Sequence, residues 1–270
     1  MKIGIFDSGY GGLTILEKIR ARLPQYDYIF FGDNARTPYG PRSFEVVYQY
    51  TLECVKRLFD EGCQLVILAC NTASAKALRT IQQNDLPHIA PDRRVLGVIR
   101  PTVEAIGSIT KTRCVGLVAT EGTIQSNSYP LEVAKLFPDI EVLGQPCPMW
   151  VPLIESNEHH TPGADYFVHK YLDSLFAKSK NIDTLILGCT HYPLLLNQIQ
   201  SAVPVGVSVL TQGDIVAASL EDYLSRHPEI ASLCSQGATI RFLTTESVQK
   251  FASSASIFLN QPIVAEHITL

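Results

Sequence analysis

Short apolar runs alternate with longer amphipathic segments along most of this chain. The apolar runs are only a few residues long and contain mostly Ile, Leu, Val and Phe, which is typical of strands buried on both faces of a parallel sheet. The segments between them place apolar residues at helical spacing, as Leu13, Leu16, Ile19 and Leu23 do. This alternation predicts an α/β fold built from mainly parallel sheets flanked by helices.

The same pattern gives approximate bounds for the elements. The runs predicted as strands are 3–6, 28–31, 65–69, 95–99, 115–119, 185–188, 207–210 and 240–243. The segments predicted as helices are 13–23, 44–61, 73–83, 103–109 and 164–177, with another after Pro193. The stretch 143–150 is apolar but rich in proline, so we expect it to be irregular.

Two of the predicted strands end in the same way. Run 65–69 is followed by Cys70 and run 185–188 by Cys189, each at the point where a helix is predicted to begin. Ligands of open α/β sheets bind beyond the carboxyl ends of the strands, so both thiols are predicted to lie in a functional site. The positive end of a helix stabilises a thiolate, and we therefore expect a lowered pKa for Cys70.

The beginning of the chain has a counterpart near its middle. Aligning Gly4 with Gly116 places Ser8 opposite Thr120, and a strand ending in cysteine follows each at a similar distance. This similarity indicates two related halves, with a boundary near the predicted helix 103–109. Two equivalent thiols, one from each half, favour a reaction that is the same in both directions.

Composition excludes several classes of protein. A net charge of −4 without a basic stripe disfavours a nucleic-acid surface, and no apolar run reaches the roughly 18 residues of a membrane span. Seven cysteines without a C-x-x-C pair indicate reduced cytoplasmic thiols rather than disulfides or zinc ligands. The adjacent His159 and His160 are expected to be solvated, because no third metal ligand has suitable spacing. No metal site is therefore predicted.

Two thiols without a cofactor motif fit a two-base proton transfer. The glycine-rich turn 9–12 matches neither a dinucleotide-binding motif nor a P-loop. One thiolate would remove the proton from Cα of an amino acid, and the other thiol would return a proton to the opposite face. The ordinary pKa of cysteine, ~8.5, suits both roles. Charge that develops on the substrate carboxylate would then need N–H and hydroxyl donors.

Other candidate residues accompany the thiols. Asp7 ends the first strand beside Ser8, where the pair is either a polar clamp or a helix cap. The loop at Tyr39 and Gly40 offers backbone N–H groups to a carboxylate, although such loops are mostly structural. Glu155 is either a half-buried site residue or an ordinary glutamate at a helix start. His191 shares a strand end with Cys189, so it either orients and tunes that thiol or has a structural role.

Four motifs together resemble a known family. Segments 7–9, 38–40, 69–73 and 188–193 read DSG, PYG, ACNTA and GCTHYP. In this order and spacing they are similar to the cofactor-independent glutamate racemases of the aspartate/glutamate racemase family, over nearly the whole chain. The Cys-Thr-His ending is similar to the glutamate-specific branch rather than to the aspartate racemases.

The resemblance implies two pseudo-symmetric α/β lobes with the active site in the cleft between them. The first lobe would comprise residues 1–98 and 211–270, and the second 99–210. The implied activity is interconversion of L- and D-glutamate, supplying D-glutamate for peptidoglycan, by a cytoplasmic homodimer that needs no cofactor. Neither nucleic acid nor membrane is an implied partner.

The resemblance also assigns roles to individual residues. Cys70 and Cys189 would be the two acid/bases, with Asp7 assisting Cys70 and His191 assisting Cys189. Asp7 and His191 would also contact the substrate. The other implied substrate-binding residues are Ser8, Tyr39, Gly40, Asn71, Thr72, Thr120 and Thr190. Asp33 and Glu155 fall where family members carry supporting acidic residues.

Two segments depart from the family pattern. Arg100 stands where a glutamate usually precedes the proline, and segment 211–213 differs from the usual return segment. Both lie near the predicted lobe crossings, so they bear on hinge behaviour more than on chemistry. Two alternatives stay open: an aspartate or broad-specificity racemase of the same superfamily, and a non-catalytic amino-acid-binding regulatory protein.

Overall fold

Two separate sheets organise the chain, which the computed structural model describes over residues 1–270. Every strand pair in both sheets is parallel, and helices flank them. The predicted α/β class is thereby confirmed. The strands are β1 (Lys2–Asp7), β2 (Tyr28–Gly32), β3 (Cys63–Leu68), β4 (Arg94–Gly97), β5 (Cys114–Ala119), β6 (Glu141–Pro146), β7 (Thr184–Gly188), β8 (Ser208–Leu210), β9 (Ile240–Thr244) and β10 (Ala265–His267).

Helices connect almost all successive strands, as parallel pairing requires. The helices are α1 (Leu13–Arg22), α2 (Phe44–Asp60), α3 (Asn71–Lys76), α4 (Leu78–Thr80), α5 (Leu86–Ile89), α6 (Ile99–Ile109), α7 (Glu121–Gln125), α8 (Ser128–Leu136), α9 (Trp150–Glu155), α10 (Pro162–Phe176), α11 (Leu196–Ala202), α12 (Gly213–Arg226), α13 (Pro228–Ala231) and α14 (Val248–Leu259). A π-helical turn covers Ile81–Asp85, and a 3₁₀ turn covers Tyr192–Leu195.

The two sheets share an internal strand order. The six-stranded sheet runs β10-β9-β2-β1-β3-β4, and the four-stranded sheet runs β6-β5-β7-β8. Matching β2-β1-β3-β4 with β6-β5-β7-β8 makes β1 equivalent to β5 and β3 equivalent to β7. Ser8 then corresponds to Thr120, and Cys70 to Cys189. The internal similarity noted in the sequence thus has a counterpart in the strand order.

The chain passes between the two sheets twice. Strands of the first sheet come from residues 2–97 and 240–267, and those of the second from 114–210. Helix α6 packs on the second sheet, where Val103 and Ile106 join the cluster around Val115 and Leu117. Helix α12 packs along α1 in the first half. From this packing we propose two lobes, residues 1–98 with 211–270 and residues 99–210.

The proline-rich stretch 143–150 is irregular only in part, so the prediction was wrong for most of it: residues 143–146 belong to β6, and residues 147–149 form a turn before α9. It contains the end of β6 and the first residue of α9. Pro146 is tolerated because it ends a strand at the edge of its sheet, where a missing N–H breaks no necessary hydrogen bond. Pro152 lies in the first turn of α9, where N–H groups have no partner within the helix.

Three other features of the helices and strands also differ from the prediction. The strand expected over 95–99 ends at Gly97, and Ile99 already begins α6. The helix expected over 73–83 is broken, because the backbone bends at Ala77, where φ is −117°. Strand β10 was not predicted; at three residues it is too short to show a period.

Candidate active site

Cys70 lies at the junction of β3 and α3. It is the N-cap residue of α3, and its Sγ accepts a hydrogen bond from the backbone N–H of Ala73 at 3.5 Å. The Ser8 Oγ lies 3.4 Å from the same sulfur. Since β1 pairs with β3, the residues after these strands meet at one edge of the sheet. The structure therefore brings Ser8 and Cys70 together, as the sequence predicted.

The pKa of Cys70 differs from the expectation. Burial of the thiol and, to a smaller extent, the nearby Asp7 carboxylate raise its pKa to about 12, although the hydrogen bonds from Ser8 and Ala73 oppose this shift. The prediction of a lowered pKa was wrong because α3 has only six residues and its dipole does not outweigh burial. At neutral pH Cys70 is therefore a protonated thiol, the form that acts as an acid.

Asp7 links the two halves at the ends of their central strands. Its Oδ2 accepts a hydrogen bond from the Gly9 N–H at 2.9 Å, and its Oδ1 accepts one from the Thr190 hydroxyl at 3.5 Å. Burial raises the pKa of Asp7, and the charge of His191 opposes that shift. Asp7, predicted to assist Cys70, thus also contacts the segment that carries Cys189.

Gly11 permits this close approach of the two halves. A Cβ atom at this position would lie 2.3 Å from Thr190 Oγ1 and 2.4 Å from His191 Nδ1. No side chain fits there without displacing the segment that follows Cys189. The glycine-rich turn is therefore a contact between the two halves, not a phosphate cradle.

The second thiol, that of Cys189, lies at one end of a row of three interacting side chains. The Cys189 Sγ lies 3.9 Å from His191 Nδ1, and His191 Nε2 lies 3.0 Å from Oε1 of Glu155, the last residue of α9. Burial by itself would lower the pKa of His191, but the hydrogen bonds and charges of Cys189 and Glu155 raise it to about 10. A protonated imidazole stabilises a neighbouring thiolate, so His191 is placed to act as the partner of Cys189.

The raised pKa of His191 gives a testable pH dependence of stability. Between pH 6.5 and about 10 the folded protein keeps a proton on His191 that the unfolded chain releases, so this contribution to the free energy of unfolding falls as pH rises. Asparagine does not titrate. The stability difference between wild type and His191→Asn should therefore be largest below pH 6.5 and shrink toward pH 10, as measured by urea unfolding.

His159→Asn is the matched control for that measurement. Burial lowers the pKa of His159, so in the part of that window above about pH 7.5, one unit above the ordinary histidine pKa, this histidine is neutral in both the folded and the unfolded state. Its stability difference from wild type should be constant there. An equally constant difference for His191→Asn would contradict the protonated state assigned to His191.

Threonines from both halves meet on the other side of the thiols. The Thr72 Oγ1 lies 2.9 Å from Thr120 Oγ1 and 3.3 Å from Thr123 Oγ1. Nearby, the backbone N–H of Gly122 donates to the carbonyl of Gly40 at 2.9 Å. These contacts close the cleft, and each thiol is only 6% exposed. Both cysteines are therefore shielded from bulk solvent in this conformation.

Asp33 and the side chain of Tyr39 stabilise a loop rather than touching the thiols. The Tyr39 hydroxyl donates to Asp33 Oδ2 at 2.5 Å, and Arg36 Nε lies 2.7 Å from the same carboxylate. Thr245 donates to its other oxygen. This network holds the loop whose tip, at Gly40, contacts Gly122. Only backbone groups of Tyr39 and Gly40 remain available for a substrate carboxylate.

Comparisons with known proteins agree on one family. The family model described as Asp/Glu/Hydantoin racemase matches residues 13–220. The chain belongs to the Asp/Glu/hydantoin racemase family. A glutamate racemase of Dinoroseobacter shibae is 41% identical over 273 residues, covering 97% of each chain. The resemblance seen in the sequence is thereby confirmed.

Solved structures of this racemase family have the same architecture. A glutamate racemase isoform of Bacillus anthracis superposes with a TM-score of 0.90 at 34% identity, covering 100% of this chain and 97% of that one. A glutamate racemase of Francisella tularensis in complex with D-glutamate gives 0.88 at 34% identity, covering 99% and 97%. The chain therefore has the racemase fold along its whole length.

Sequence reasoning missed three polar residues beside this racemase site. Thr123 joins Thr72 and Thr120, and a signal existed in the T-x-x-T spacing after a strand, which is typical of a helix cap. Tyr129, from the second half, and Gln212, from the first, both form hydrogen bonds with Asn71. No local pattern marks these last two, because their partner is distant in the sequence.

One further cavity lies apart from the thiols. It has a volume of about 720 Å³, is lined by α6, α8 and α12, and contains Arg100 but none of the predicted site residues. Arg100 forms ion pairs with Glu104 and Glu132, all within the second half. We place the candidate site at the thiols because two nucleophilic groups with their own polar partners converge there, whereas the charged residues Arg100, Glu104 and Glu132 of the cavity are paired with one another.

The structure also bears on metals and membranes. No group of three His, Cys, Asp or Glu side chains has the geometry of a metal site, and none of the helices combines the length and apolarity of a bilayer span. His159 is buried, so the prediction of a solvated pair was wrong for this residue, whereas His160 is exposed; the centroids of the two rings lie 4.0 Å apart, with the ring planes tilted by 47°.

Proposed function

We propose that this protein interconverts L- and D-glutamate without a cofactor, using Cys70 and Cys189 as two opposed acid/bases. The observation that carries the proposal is the placement of two thiols after equivalent strands of two equivalent sheets, each with its own polar partner. The relatives described above are glutamate racemases, and one of their structures holds D-glutamate. These findings support glutamate as the substrate.

The proposed reaction is balanced in protons. In one direction a thiolate removes the α-proton and becomes a thiol, while the opposite thiol gives its proton to the other face of the carbanion and becomes a thiolate. The resting site has a protonated Cys70, which is the acid that one direction of this cycle needs, and an imidazolium beside Cys189. The reverse reaction exchanges the roles.

The α-carboxylate must take up charge as the α-proton leaves. Hydroxyl donors around the cleft suit this role, because fixed donors stabilise developing negative charge without reorganisation. We assign it to the hydroxyls of Ser8, Thr72, Thr120 and Thr190 and to the backbone of the Gly40 loop. Asn71 contributes its side-chain amide.

Circular dichroism tests the activity directly. Purified protein without added cofactor should convert L-glutamate to the racemate, and D-glutamate likewise. L-Aspartate should turn over far more slowly under the same conditions. A preference for aspartate would instead support the aspartate or broad-specificity alternative. Constant optical rotation with every amino acid would support the non-catalytic alternative.

The biological setting is part of the same proposal. We propose that the D-glutamate supplies peptidoglycan synthesis and that the protein works in the cytoplasm as a homodimer. The racemase relatives support the first assignment, whereas the cytoplasmic location and the dimer remain predictions. Light scattering of the purified protein would measure its mass in solution, and a mass of one chain would contradict the dimer.

A further inference from the structure

A buried ring of side chains lies where the chain passes between its two halves. Asn71 follows the thiol Cys70, and its amide bonds Gln212 and Tyr129 from elsewhere in the chain. Gln212 immediately precedes α12, at the second passage between the sheets. All three residues are almost completely buried. Their hydrogen bonds therefore have no competition from solvent, and their direction can be deduced.

The donor and acceptor roles in this ring can be deduced from one hydrogen bond to a backbone carbonyl. The Thr102 hydroxyl donates its hydrogen to the Val98 carbonyl at 2.7 Å. A hydroxyl has one hydrogen, so Thr102 Oγ1 must accept from Gln212 Nε2, 2.8 Å away. This contact fixes the orientation of the glutamine amide. Its nitrogen faces Thr102, and its oxygen faces Asn71.

Counting hydrogen atoms in the same way determines the orientation of the Asn71 side-chain amide. The second hydrogen of Gln212 Nε2 goes to the Tyr129 hydroxyl oxygen at 2.9 Å, so Tyr129 uses its own hydrogen for Asn71 Oδ1 at 2.7 Å. Asn71 Nδ2 donates one hydrogen to Gln212 Oε1 at 2.6 Å. The Asn71 carbonyl is thus paired inside the ring, and its amide nitrogen retains one further hydrogen.

We propose that Gln212 is a positioning residue of the racemase site, acting through Asn71. The ring prevents the Asn71 amide from flipping, so the group left for a ligand is an N–H donor and not a carbonyl oxygen. A donor attracts the carboxylate of an amino-acid substrate, whereas a carbonyl oxygen would repel it. This inference rests on the proposed function. Gln212 lies in the 211–213 segment, already noted in the sequence near a predicted lobe crossing.

Gln212→Glu tests the direction of the ring. Glutamate has nearly the same shape, but its carboxylate accepts where the glutamine amide donates, so Tyr129 would donate to residue 212 and leave Asn71 Oδ1 unpaired. We expect the KM for both enantiomers to rise about tenfold to a hundredfold, as the loss of a hydrogen bond to a charged group gives. The fall in kcat should be smaller. Tyr129→Phe, which removes only the hydroxyl, should raise KM in the same sense.

Matched controls lie in the first lobe, away from the ring. Gln64 is a buried glutamine whose Nε2 donates to the Asp92 carbonyl at 2.6 Å, and Tyr28 is a buried tyrosine whose hydroxyl donates to the Leu23 carbonyl at 2.7 Å. Gln64→Glu and Tyr28→Phe should lower the free energy of unfolding and leave KM at the wild-type value. They separate loss of stability from loss of positioning.

The outcomes distinguish the inference from the proposed function. Wild-type KM in Tyr129→Phe and Gln212→Glu, with only a lower unfolding midpoint, would overturn the positioning role. Should Gln212→Glu not fold, Tyr129→Phe decides alone. If the wild type does not racemise glutamate, the proposed function fails, and calorimetric glutamate affinity of the same variants then decides the inference: a weakened affinity supports the ring, and an unchanged affinity overturns it.

Discussion

Replacing either Cys70 or Cys189 by alanine should reduce racemisation in both directions by about a hundredfold to ten-thousandfold, the range typical of a lost general acid or base. Each direction needs one thiol on each face of Cα, so neither variant retains a complete pair. Glutamate affinity should change little, because the hydroxyl donors hold the carboxylate. Circular dichroism with each enantiomer, together with calorimetric binding, would measure both effects.

Other buried thiols provide the controls. Cys63 begins β3, at the end of that strand opposite Cys70. Cys234 lies close in space to the amino-terminal amine of the chain, and burial raises the pKa of its thiol to about 11. Cys63→Ala and Cys234→Ala should retain activity, with a loss of stability at most, since removal of a buried sulfur leaves a small cavity. Near-normal turnover in Cys70→Ala or Cys189→Ala would exclude the two-thiol scheme.

Removing the partner of one thiol should affect the two directions unequally. His191→Asn takes away the charge beside Cys189, and Asp7→Asn takes away the charge beside Cys70. We expect kcat/KM to fall about tenfold to a hundredfold, the equivalent of one hydrogen bond to a charged group. The fall must be the same for both enantiomers, because they are equally stable and the equilibrium constant is one by symmetry. The separate kcat and KM values should differ between directions.

The two partner variants should also mirror each other. The enantiomer whose kcat suffers more in His191→Asn should suffer less in Asp7→Asn, because each partner serves a different thiol. Isotope effects with α-deuterated L- and D-glutamate would identify the step that has become limiting. Wild-type kinetics and isotope effects in His191→Asn would show that His191 has a structural role, and His159→Asn, outside the site, should give that result.

The placement of the thiols was predictable from the sequence because it depends on local features. Each cysteine follows a run of apolar residues, and a strand of that kind delivers its last residue to the sheet edge where ligands bind. The similarity between the segments at Ser8 and Thr120 indicated two related halves, and the strand order shared by the two sheets agrees with it. Likewise, the pairing of His191 with Cys189 follows from two residues lying side by side at one strand end.

The remaining features depend on packing between distant segments. Asn71 and Gln212 are separated by 141 positions, and no sequence pattern near either residue indicates that the two side chains are in contact. The pKa of Cys70 was wrongly predicted because burial, which follows only from the packed structure, outweighs the local helix end. The stretch that forms β6 and α9 was misjudged because proline is unfavourable within elements but is tolerated at a strand edge and in a first helical turn.

Exchange of the α-proton in D₂O, followed by proton NMR, tests the two-thiol mechanism most directly. Cys70→Ala and Cys189→Ala each retain one thiol on one face of Cα. Each variant should therefore exchange the α-proton of one enantiomer for deuterium without racemising it, and the two variants should select opposite enantiomers. Exchange of the same enantiomer by both variants, or racemisation by either at a rate near that of the wild type, would contradict two thiols acting on opposite faces.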